Sequence, residues 1–470
     1  MARGFFFLLA FSPMRRSLAL AVLLATIATS ASASSLDVTA AYKMKAVSYS
    51  NLNYNTNDRN SHSFITNDAR LGIAVRKIPL ESRGGEETTM DLAVALRAIG
   101  VSGSTASVAT PFDRVASYYP NSDLTPFIEN AYLRVHRLWG YNWEATFGRQ
   151  SFRLGSGLLL DDDGAGLTGA SARGELPWWG MKLEGFVFND RNPLNTSTPN
   201  SLDLAGFSLD VPGEGVWQLN QLFERDRAQQ TVYGCDFTGN TQPNGCLVSK
   251  SVRSFTSARY QISYGPMVFD GEAAIQRGYA TPTGLNPAPN HITYKGNAQV
   301  VRMKWKQSLY KSGEGIARVS VARGSGDDPG TRTTDEAFFP SRGHRYNGIE
   351  RVGFGELFAA TAYDAFGGNY STTTASGLRN GASGLVVVGA GYTPPAYKGL
   401  TLDIDFFLYQ AERISNGSRT LGTEWDARVR YPIKDQLTIA AAMAYFRAGK
   451  FTDPGRSIAR KYSFEVSGRF

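Results

Sequence analysis

Residues 421–446 read LGTEWDARVRYPIKDQLTIAAAMAYF, and their alternating pattern is the clearest indication of secondary structure in the chain. Its first half carries a charged side chain on every second residue from Glu424 to Arg430, with apolar or aromatic side chains between them. Successive side chains of a β-strand point to opposite faces, so one face of this strand is charged and the other is apolar. A second, more apolar segment follows a short turn, which predicts a β-hairpin.

The same alternation recurs from residue 36 to the end of the chain, for example in VRMKWKQ (301–307) and KYSFEVSGRF (461–470). A soluble β-sandwich would use shorter strands and bury its apolar faces against each other. Here the segments reach about ten residues or more, and aromatic side chains such as Trp143 and Tyr431 stand at their ends. The pattern predicts an all-β transmembrane barrel whose apolar face meets lipid and whose polar face lines a watery lumen.

An even number of antiparallel strands is required when both chain ends lie on the periplasmic side. The apolar segment 348–363 could be read as a strand, but it would make the count odd. We therefore predict that it is ordered loop, with room for some helix, folded over or into the lumen. The eighteen predicted strands are 36–48, 64–77, 90–99, 128–138, 141–150, 165–173, 180–189, 202–210, 216–225, 251–264, 267–277, 292–307, 315–323, 381–392, 399–411, 421–431, 436–447 and 460–470.

Residues 1–33 are predicted to be a signal peptide, with Met14 as an alternative start. From Met14 the chain reads MRRSLALAVLLATIATSASA, with two arginines, an apolar run and an A-x-A cleavage pattern. The apolar run is too short to span a bilayer. The remainder, 34–470, is predicted to be one barrel domain in the outer membrane of a Gram-negative-type bacterium. Two long extracellular loops are predicted, at 226–250 and 324–379.

The loops contain the cysteines and two acidic clusters. Cys235 and Cys246 are the only cysteines, and the polar loop between them suits a disulfide in an oxidising compartment. The histidines are scattered, so neither a metal site nor a cofactor is predicted. The carboxylates at 161–163 and at Asp327 and Asp328 fit either a calcium site or a solvated loop tip.

The predicted lumen has more basic than acidic side chains. The whole chain carries 49 lysines and arginines against 41 aspartates and glutamates. A basic lumen concentrates anions, and the planar guanidinium of arginine can bind a carboxylate through two hydrogen bonds. Alternatively, each inward charge pairs with a neighbour and only holds adjacent strands together. The inward positions proposed to line the pore are Arg70, Arg97, Arg134, Arg302, Lys304, Lys306, Arg428, Arg430 and the acidic Asp426.

Three stretches together resemble the alginate export family of outer-membrane porins. They are FGRQSFRLGSGLLLDDD (147–163), GSGDDPGTRTTDEAFFPSRGHRYNGIE (324–350) and LGTEWDARVRYPIKDQLTIAAAMAYFRAGKF (421–451). The resemblance implies an eighteen-stranded barrel and export of an acidic polysaccharide through a constriction rich in arginine.

By this resemblance Arg149, Arg428 and Arg430 belong to such a constriction, and Arg134 matches it by strand position only. Arg149 departs from the pattern, because strict alternation gives it the same direction as the outward Phe147. It would line the lumen only beside a bulge or a strand end.

The predicted function is an outer-membrane channel for anionic saccharides or small organic anions. The alternatives are a general or non-saccharide porin, and a barrel plugged by its loop or by a periplasmic export component with a structural role. Membrane lipid is an expected partner, whereas nucleic acid is not, because the basic residues alternate with lipid-facing ones and form no surface patch. An enzyme is not expected, since His136 is the one histidine on an inward strand position and its strand carries no inward serine.

Overall fold

The alternating pattern forms antiparallel β-strands that run along the whole described chain. In this computed structural model the described residues are 34–51, 61–83, 86–103, 123–162, 166–177, 180–191, 201–227, 230–232, 246–283, 291–309, 313–328, 331, 333–341, 353–359, 382–414, 417–434, 436–452 and 455–470. The predicted signal peptide and Cys235 lie outside these residues. Among them, none of the helices is long and apolar enough to cross a membrane.

The described residues contain twenty-three strands and one short 3₁₀ helix, Leu138–Gly140. In chain order the strands are β1 (Ser35–Ser50), β2 (Ser61–Arg83), β3 (Glu86–Gly103), β4 (Asp123–His136), β5 (Trp143–Gln150), β6 (Arg153–Leu154), β7 (Leu160–Asp161), β8 (Leu167–Glu175), β9 (Lys182–Arg191), β10 (Ser201–Pro212), β11 (Val216–Asp226), β12 (Gln230–Val232), β13 (Cys246–Tyr264), β14 (Met267–Thr283), β15 (Ile292–Tyr294), β16 (Asn297–Leu309), β17 (Gly313–Gly324), β18 (Thr334–Asp335), β19 (Ala382–Thr393), β20 (Thr401–Ile414), β21 (Thr420–Lys434), β22 (Leu437–Ala448) and β23 (Ile458–Arg469).

Eighteen of these strands form a closed antiparallel barrel, and the short strands β6, β7, β12, β15 and β18 are additional. The barrel closes where β1 pairs with β23, with Ala41 opposite Arg469 in the register. Two backbone hydrogen bonds continue this seam, from Ala40 N to Phe470 O at 2.9 Å and from Phe470 N to Ala40 O at 2.8 Å. Closure leaves no unpaired sheet edge, which hydrocarbon would not tolerate.

Each of the eighteen predicted strands corresponds to one barrel strand, with some ends displaced by a few residues. The predicted strand 292–307 is divided into β15 and β16 because β18 packs there and pairs with β15 in parallel. At the break, a Cβ on Gly296 would lie 2.5 Å from the backbone oxygen of Ala337, so only glycine allows this contact. The predicted loop 226–250 is shorter than expected, since β12 pairs with the first residues of β13.

The register separates an apolar outer surface from a polar interior. Leu71, Phe147, Trp305 and Val319 are exposed on the outside, where a membrane supplies the apolar contact. Buried charged side chains, such as Arg97, lie on the inside. A closed barrel with this distribution is an outer-membrane protein.

Three segments that connect barrel strands fold into the interior. Residues 152–160, which follow β5, pack Phe152 against Phe186 with ring centroids 4.5 Å apart. The same segment reaches β13, where Arg259 Nη1 donates to Gly155 O at 3.0 Å. It also meets the second segment, 333–341, through Ser341 N and Leu159 O at 2.8 Å.

The third inward segment is 353–359, the described part of the apolar segment 348–363 that was predicted not to be a strand. It contains neither strand nor helix and lies against inward side chains of β20 and β21. The prediction of an ordered, non-strand segment in the lumen is confirmed for these residues. The three segments narrow the interior of the barrel.

The orientation of β17 can be tested with a charge on either face. Val319→Arg places a guanidinium on the lipid side and should destabilise the barrel by about 2–4 kcal/mol if the residue lies near the bilayer midplane. Ser320→Asp, one residue along and opposite Arg302 in the register, should cost much less. Urea unfolding of both variants in lipid vesicles measures the difference. Equal destabilisation would contradict the assigned faces.

Candidate functional site

Inward side chains of β16, β17, β19, β20 and β21 form a charged wall around a cavity of about 390 Å³. Strand alternation brings every second residue of these strands into the lumen, and the register aligns them across the sheet. Asp403 lies opposite Arg428, and Lys304 lies opposite Arg318. The charged residues that line the cavity are Arg302, Lys304, Arg318, Arg428 and Arg430, with Glu356, Asp403, Asp405 and Asp426.

Three arginines of this wall, Arg318, Arg428 and Arg430, are paired but remain partly open to the cavity. Arg430 Nη2 lies 2.6 Å from Asp403 Oδ2, yet 47% of the Arg430 side chain is exposed. Arg318 contacts both Asp403, at 3.4 Å, and Asp405, at 3.0 Å. Arg428 Nη2 lies 3.1 Å from Glu356 Oε1. Such pairs leave some guanidinium donors for a solute, and five basic side chains here face four acidic ones.

Asp426 lies at the rim of this cavity and holds the 353–359 segment. Its Oδ2 accepts the Glu356 N–H at 2.9 Å, and the residue is buried. Lys306 is exposed at an inward register position nearer the end of β16, opposite Ile316, and is not among the residues that line the cavity. The structure therefore brings together Arg302, Lys304, Arg428, Arg430 and Asp426 of the predicted set.

Arg97 and Arg70 belong to a different cluster on β2 and β3, several strands away in barrel order. Arg97 is fully buried, with Nη2 2.7 Å from Asp68 and Nη1 3.1 Å from Glu129. Arg70 approaches the same two carboxylates at 3.5 and 3.6 Å. The complete burial of Arg97 favours the structural alternative for this residue.

Arg134 lies on a third part of the wall, where Arg134 Nε is 3.2 Å from Glu144 Oε1. His136 lies beside it, with its ring nitrogens 3.0 Å from Asp91 and 3.2 Å from Glu144. Carboxylates thus flank the imidazole on both sides.

Arg149 does not join the inward arginines. The register sets it opposite Ala131 and Thr168, in the same direction as the exposed Phe147, and no bulge reverses that direction. Its Nε donates to the backbone oxygen of Glu129 at 3.2 Å. The register thus sets Arg149 on the outer face, as strict alternation predicts, and apart from the constriction that the resemblance implies.

Glu356 is a site residue that strand reasoning missed, because it lies in a segment without period-two alternation. A local signal was present in GFGELF, where glycines flank an aromatic residue. Gly355 has φ +105°, and a Cβ there would lie 2.5 Å from Tyr409 Oη and 2.8 Å from Glu424 Oε1. Only glycine can bring the chain this close to the wall.

The acidic clusters considered for calcium have partners within the protein. Asp161 pairs with Arg153 at 3.2 Å, and Asp162 accepts the N–H of Gly166 at 2.7 Å; residue 163 lies outside the described chain. Within the described residues, no group of three or more histidine, cysteine, aspartate or glutamate side chains could hold a metal ion.

In the second cluster Asp327 is buried between the end of β17 and the 333–341 segment, whereas the Asp328 side chain is 43% exposed. Burial and the neighbouring Asp335 carboxyl raise the pKa of Asp327 to about 9, and burial raises the pKa of Asp335 to about 7. Asp327 also accepts the Glu336 N–H at 3.1 Å. Because their pKa values are raised, Asp327 and Asp335 keep their protons to a higher pH than ordinary aspartates do. A protonated carboxyl group is a poor ligand for a cation.

Comparison with known proteins identifies the architecture. OccAB1 of Acinetobacter baumannii shares 8% identity, covers 93% of this chain and 96% of its own, and has a TM-score of 0.54. A BenF-like porin of Pseudomonas fluorescens Pf-5 shares 11% identity over 93% and 98% of the two chains, with a TM-score of 0.52. OpdK of Pseudomonas aeruginosa, solved with vanillate, shares 11% over 92% and 98%, at 0.50.

The chain therefore has the closed eighteen-stranded barrel fold of these porins. No protein-family model matches the sequence, and no curated protein is significantly similar to it. The similar structures support a porin barrel but not the alginate export family, so that resemblance stays a prediction.

The division of arginines into structural and cavity-facing residues predicts different stability effects. Arg97→Ala removes the closest cation from the buried carboxylates of Asp68 and Glu129 and leaves them the longer contacts to Arg70, so it should destabilise the barrel by about 3–5 kcal/mol. Arg430→Ala removes a half-exposed side chain and leaves Asp403 paired with Arg318, so we expect less than about 1 kcal/mol. Unfolding in denaturant measures both. A larger loss for Arg430→Ala would reverse the assignment.

We predict that the contact between the Asp327 carboxyl and the Glu336 N–H depends on pH. A carboxyl whose folded pKa is raised binds more protons folded than unfolded, so its contribution to stability falls as pH rises from about 4 towards 9. Between pH 7 and 9, where Asp335 has largely titrated, hydrogen exchange at Glu336 should speed up beyond its intrinsic pH dependence. Asp327→Asn should remove this excess. An unchanged excess would show that another group titrates.

Proposed function

We propose that this porin passes small organic anions that carry a carboxylate group. The observation that carries the proposal is the set of cavity-facing basic side chains, among which Arg318, Arg428 and Arg430 keep partly exposed guanidinium groups. Guanidinium donors match a carboxylate in geometry and charge. A basic cavity also raises the local concentration of anions and their rate of entry.

Size favours small anions over a polysaccharide. The inward segments 152–160, 333–341 and 353–359 occupy part of the lumen, and the cavity beside the arginines has a volume of about 390 Å³. That space suits a molecule of one or a few rings. OpdK, a porin of similar fold, was solved with vanillate, which is a small aromatic carboxylate.

An anionic saccharide fits the same chemistry only if it is short. The alginate-type resemblance supports acidic sugars as a class, since uronic acids present the same carboxylate to arginine. Export of a long chain would require the inward segments to leave the lumen. We therefore place single sugar acids within the proposed substrate class and polymers outside it.

A second candidate is a barrel that its own segment keeps shut. The observation that favours it is the attachment of 353–359 to the wall, where Glu424 and Asp426 accept backbone N–H groups. A plugged barrel would show negligible conductance until this attachment is broken, for example by Glu424→Leu. A conducting wild-type protein would reject this candidate.

The proposal predicts anion selectivity in planar bilayers. In a KCl gradient the wild-type reversal potential should show anion preference, and Arg428→Ala with Arg430→Ala should lower the anion-to-cation permeability ratio roughly threefold or more. Arg323→Ala is a matched control, because this arginine points outward by register and pairs with Glu412 at 2.8 Å.

A transport assay extends the same test to the solute. Liposomes that contain the porin should take up vanillate faster than vanillyl alcohol, a neutral molecule of similar size, and the double variant should lose this difference. Cation preference in the wild type, or equal uptake of the two solutes, would contradict the proposal.

A further inference from the structure

The 353–359 segment is fixed to the wall through its backbone. Glu424, which is fully buried, accepts the N–H groups of Glu356 at 2.8 Å, Leu357 at 2.7 Å and Phe358 at 2.8 Å. The Tyr409 hydroxyl donates to the Phe354 oxygen at 2.5 Å. Three successive backbone N–H groups thus share one side-chain acceptor. The position of the segment therefore does not depend on the Glu356 side chain.

Aromatic contacts add to this attachment. The Phe358 ring stacks on Phe446 with centroids 4.8 Å apart and an interplanar angle of 11°. On the cavity side, the Arg302 guanidinium lies 5.5 Å from the centroid of the Phe354 ring, a cation–π distance. The segment is thus held at both ends, with Glu356 between them.

The side chain of Glu356 occupies a basic site on the wall. Its Oε2 lies 2.8 Å from Lys461 Nζ, and its Oε1 lies 3.1 Å from Arg428 Nη2. Burial raises the pKa of the Glu356 carboxyl, but the Lys461 and Arg428 cations outweigh burial and hold it well below its usual range. Lys45, which is also buried, adds to their effect.

The two cations at this site differ in how they meet the cavity. The Lys461 side chain is 3% exposed and also donates to the backbone oxygen of Glu356 at 2.7 Å. The Arg428 side chain is 36% exposed and lines the cavity. A solute can therefore reach Arg428 directly, whereas Lys461 stays covered and needs an anion nearby.

We propose that Arg428 and Lys461 form a carboxylate-binding subsite that Glu356 fills until a permeating organic anion takes its place at Arg428. The inference rests on the proposed function, of which it names the binding subsite. The exchange replaces one carboxylate by another, so the buried cations are never left without negative charge. A neutral solute cannot replace Glu356 in this way.

The competition sets affinity as well as specificity. Conduction requires that a solute bind strongly enough to enter and weakly enough to leave. The cavity wall carries five basic and four acidic side chains, and an ionised Glu356 reduces its excess positive charge. Removal of the Glu356 charge would enlarge that excess beside Arg428 and trap a bound carboxylate.

The test is the affinity of the open porin for vanillate, measured from the block of ionic current in planar bilayers. Glu356→Gln removes the competing charge while Glu424 keeps the segment in place, so the dissociation constant should fall about tenfold. Anion preference should also increase. Current block by neutral vanillyl alcohol should not change.

Two variants control for position and for charge elsewhere. Glu412→Gln removes a carboxylate of matched exposure, 16% against 15%, that pairs with Arg323, and it should leave the vanillate affinity unchanged. Glu356→Asp keeps the charge, so its affinity should stay near the wild-type value. If Gln and Asp at this position change affinity equally, the effect is one of shape and the inference is wrong.

The outcomes separate this inference from the proposed function. A wild-type porin that prefers cations, or that vanillate does not block, refutes the proposed function and the subsite with it. A wild-type porin that prefers anions and is blocked by vanillate, together with an unchanged affinity in Glu356→Gln, refutes the subsite alone.

Discussion

The structure depends on the need of every backbone N–H and C=O group in hydrocarbon for a partner within the protein. Strands meet this need only if the sheet has no edge, and the pairing of β1 with β23 removes the last one. Closure then gives alternate side chains two different surroundings. Apolar residues such as Val319 face lipid, while the charged ones face water or each other inside.

Inside the barrel, burial decides what each basic side chain can do. Arg97 and Arg253 are almost completely buried and pair with carboxylates, as in the 2.5 Å contact of Arg253 with Glu224, so they hold strands and loops together. Arg430 makes an equally short contact with Asp403 but is half exposed. A pair of this second kind can exchange its partner for a solute at little cost.

Alternation was sufficient to predict the barrel, because it depends only on local sequence. It located all eighteen strands, and the even strand count correctly excluded a strand at 348–363, of which 353–359 is described. Arg149 shares the outward register of Phe147, as strict alternation predicts. Alternation could not separate Arg97 from Arg430, since both are inward and only their three-dimensional neighbours differ.

The role of Glu356 could not be predicted from the sequence. No periodicity surrounds it, and the partners that give it meaning, Lys461 and Arg428, come from distant strands. Its approach to the wall depends on Gly355, whose missing side chain makes room for Glu424 and Tyr409. A residue of a non-strand segment thus completes a site whose wall is formed by alternating strand residues.

The cavity wall therefore combines basic and acidic side chains and is not a simple basic tube. A strongly positive wall would bind an organic anion too tightly to release it, whereas a neutral wall would not attract one. Glu356 reduces the positive excess at the place where Arg428 opens to the cavity. Because this carboxylate is carried on a segment fixed by its backbone, its charge can tune binding without changing the path.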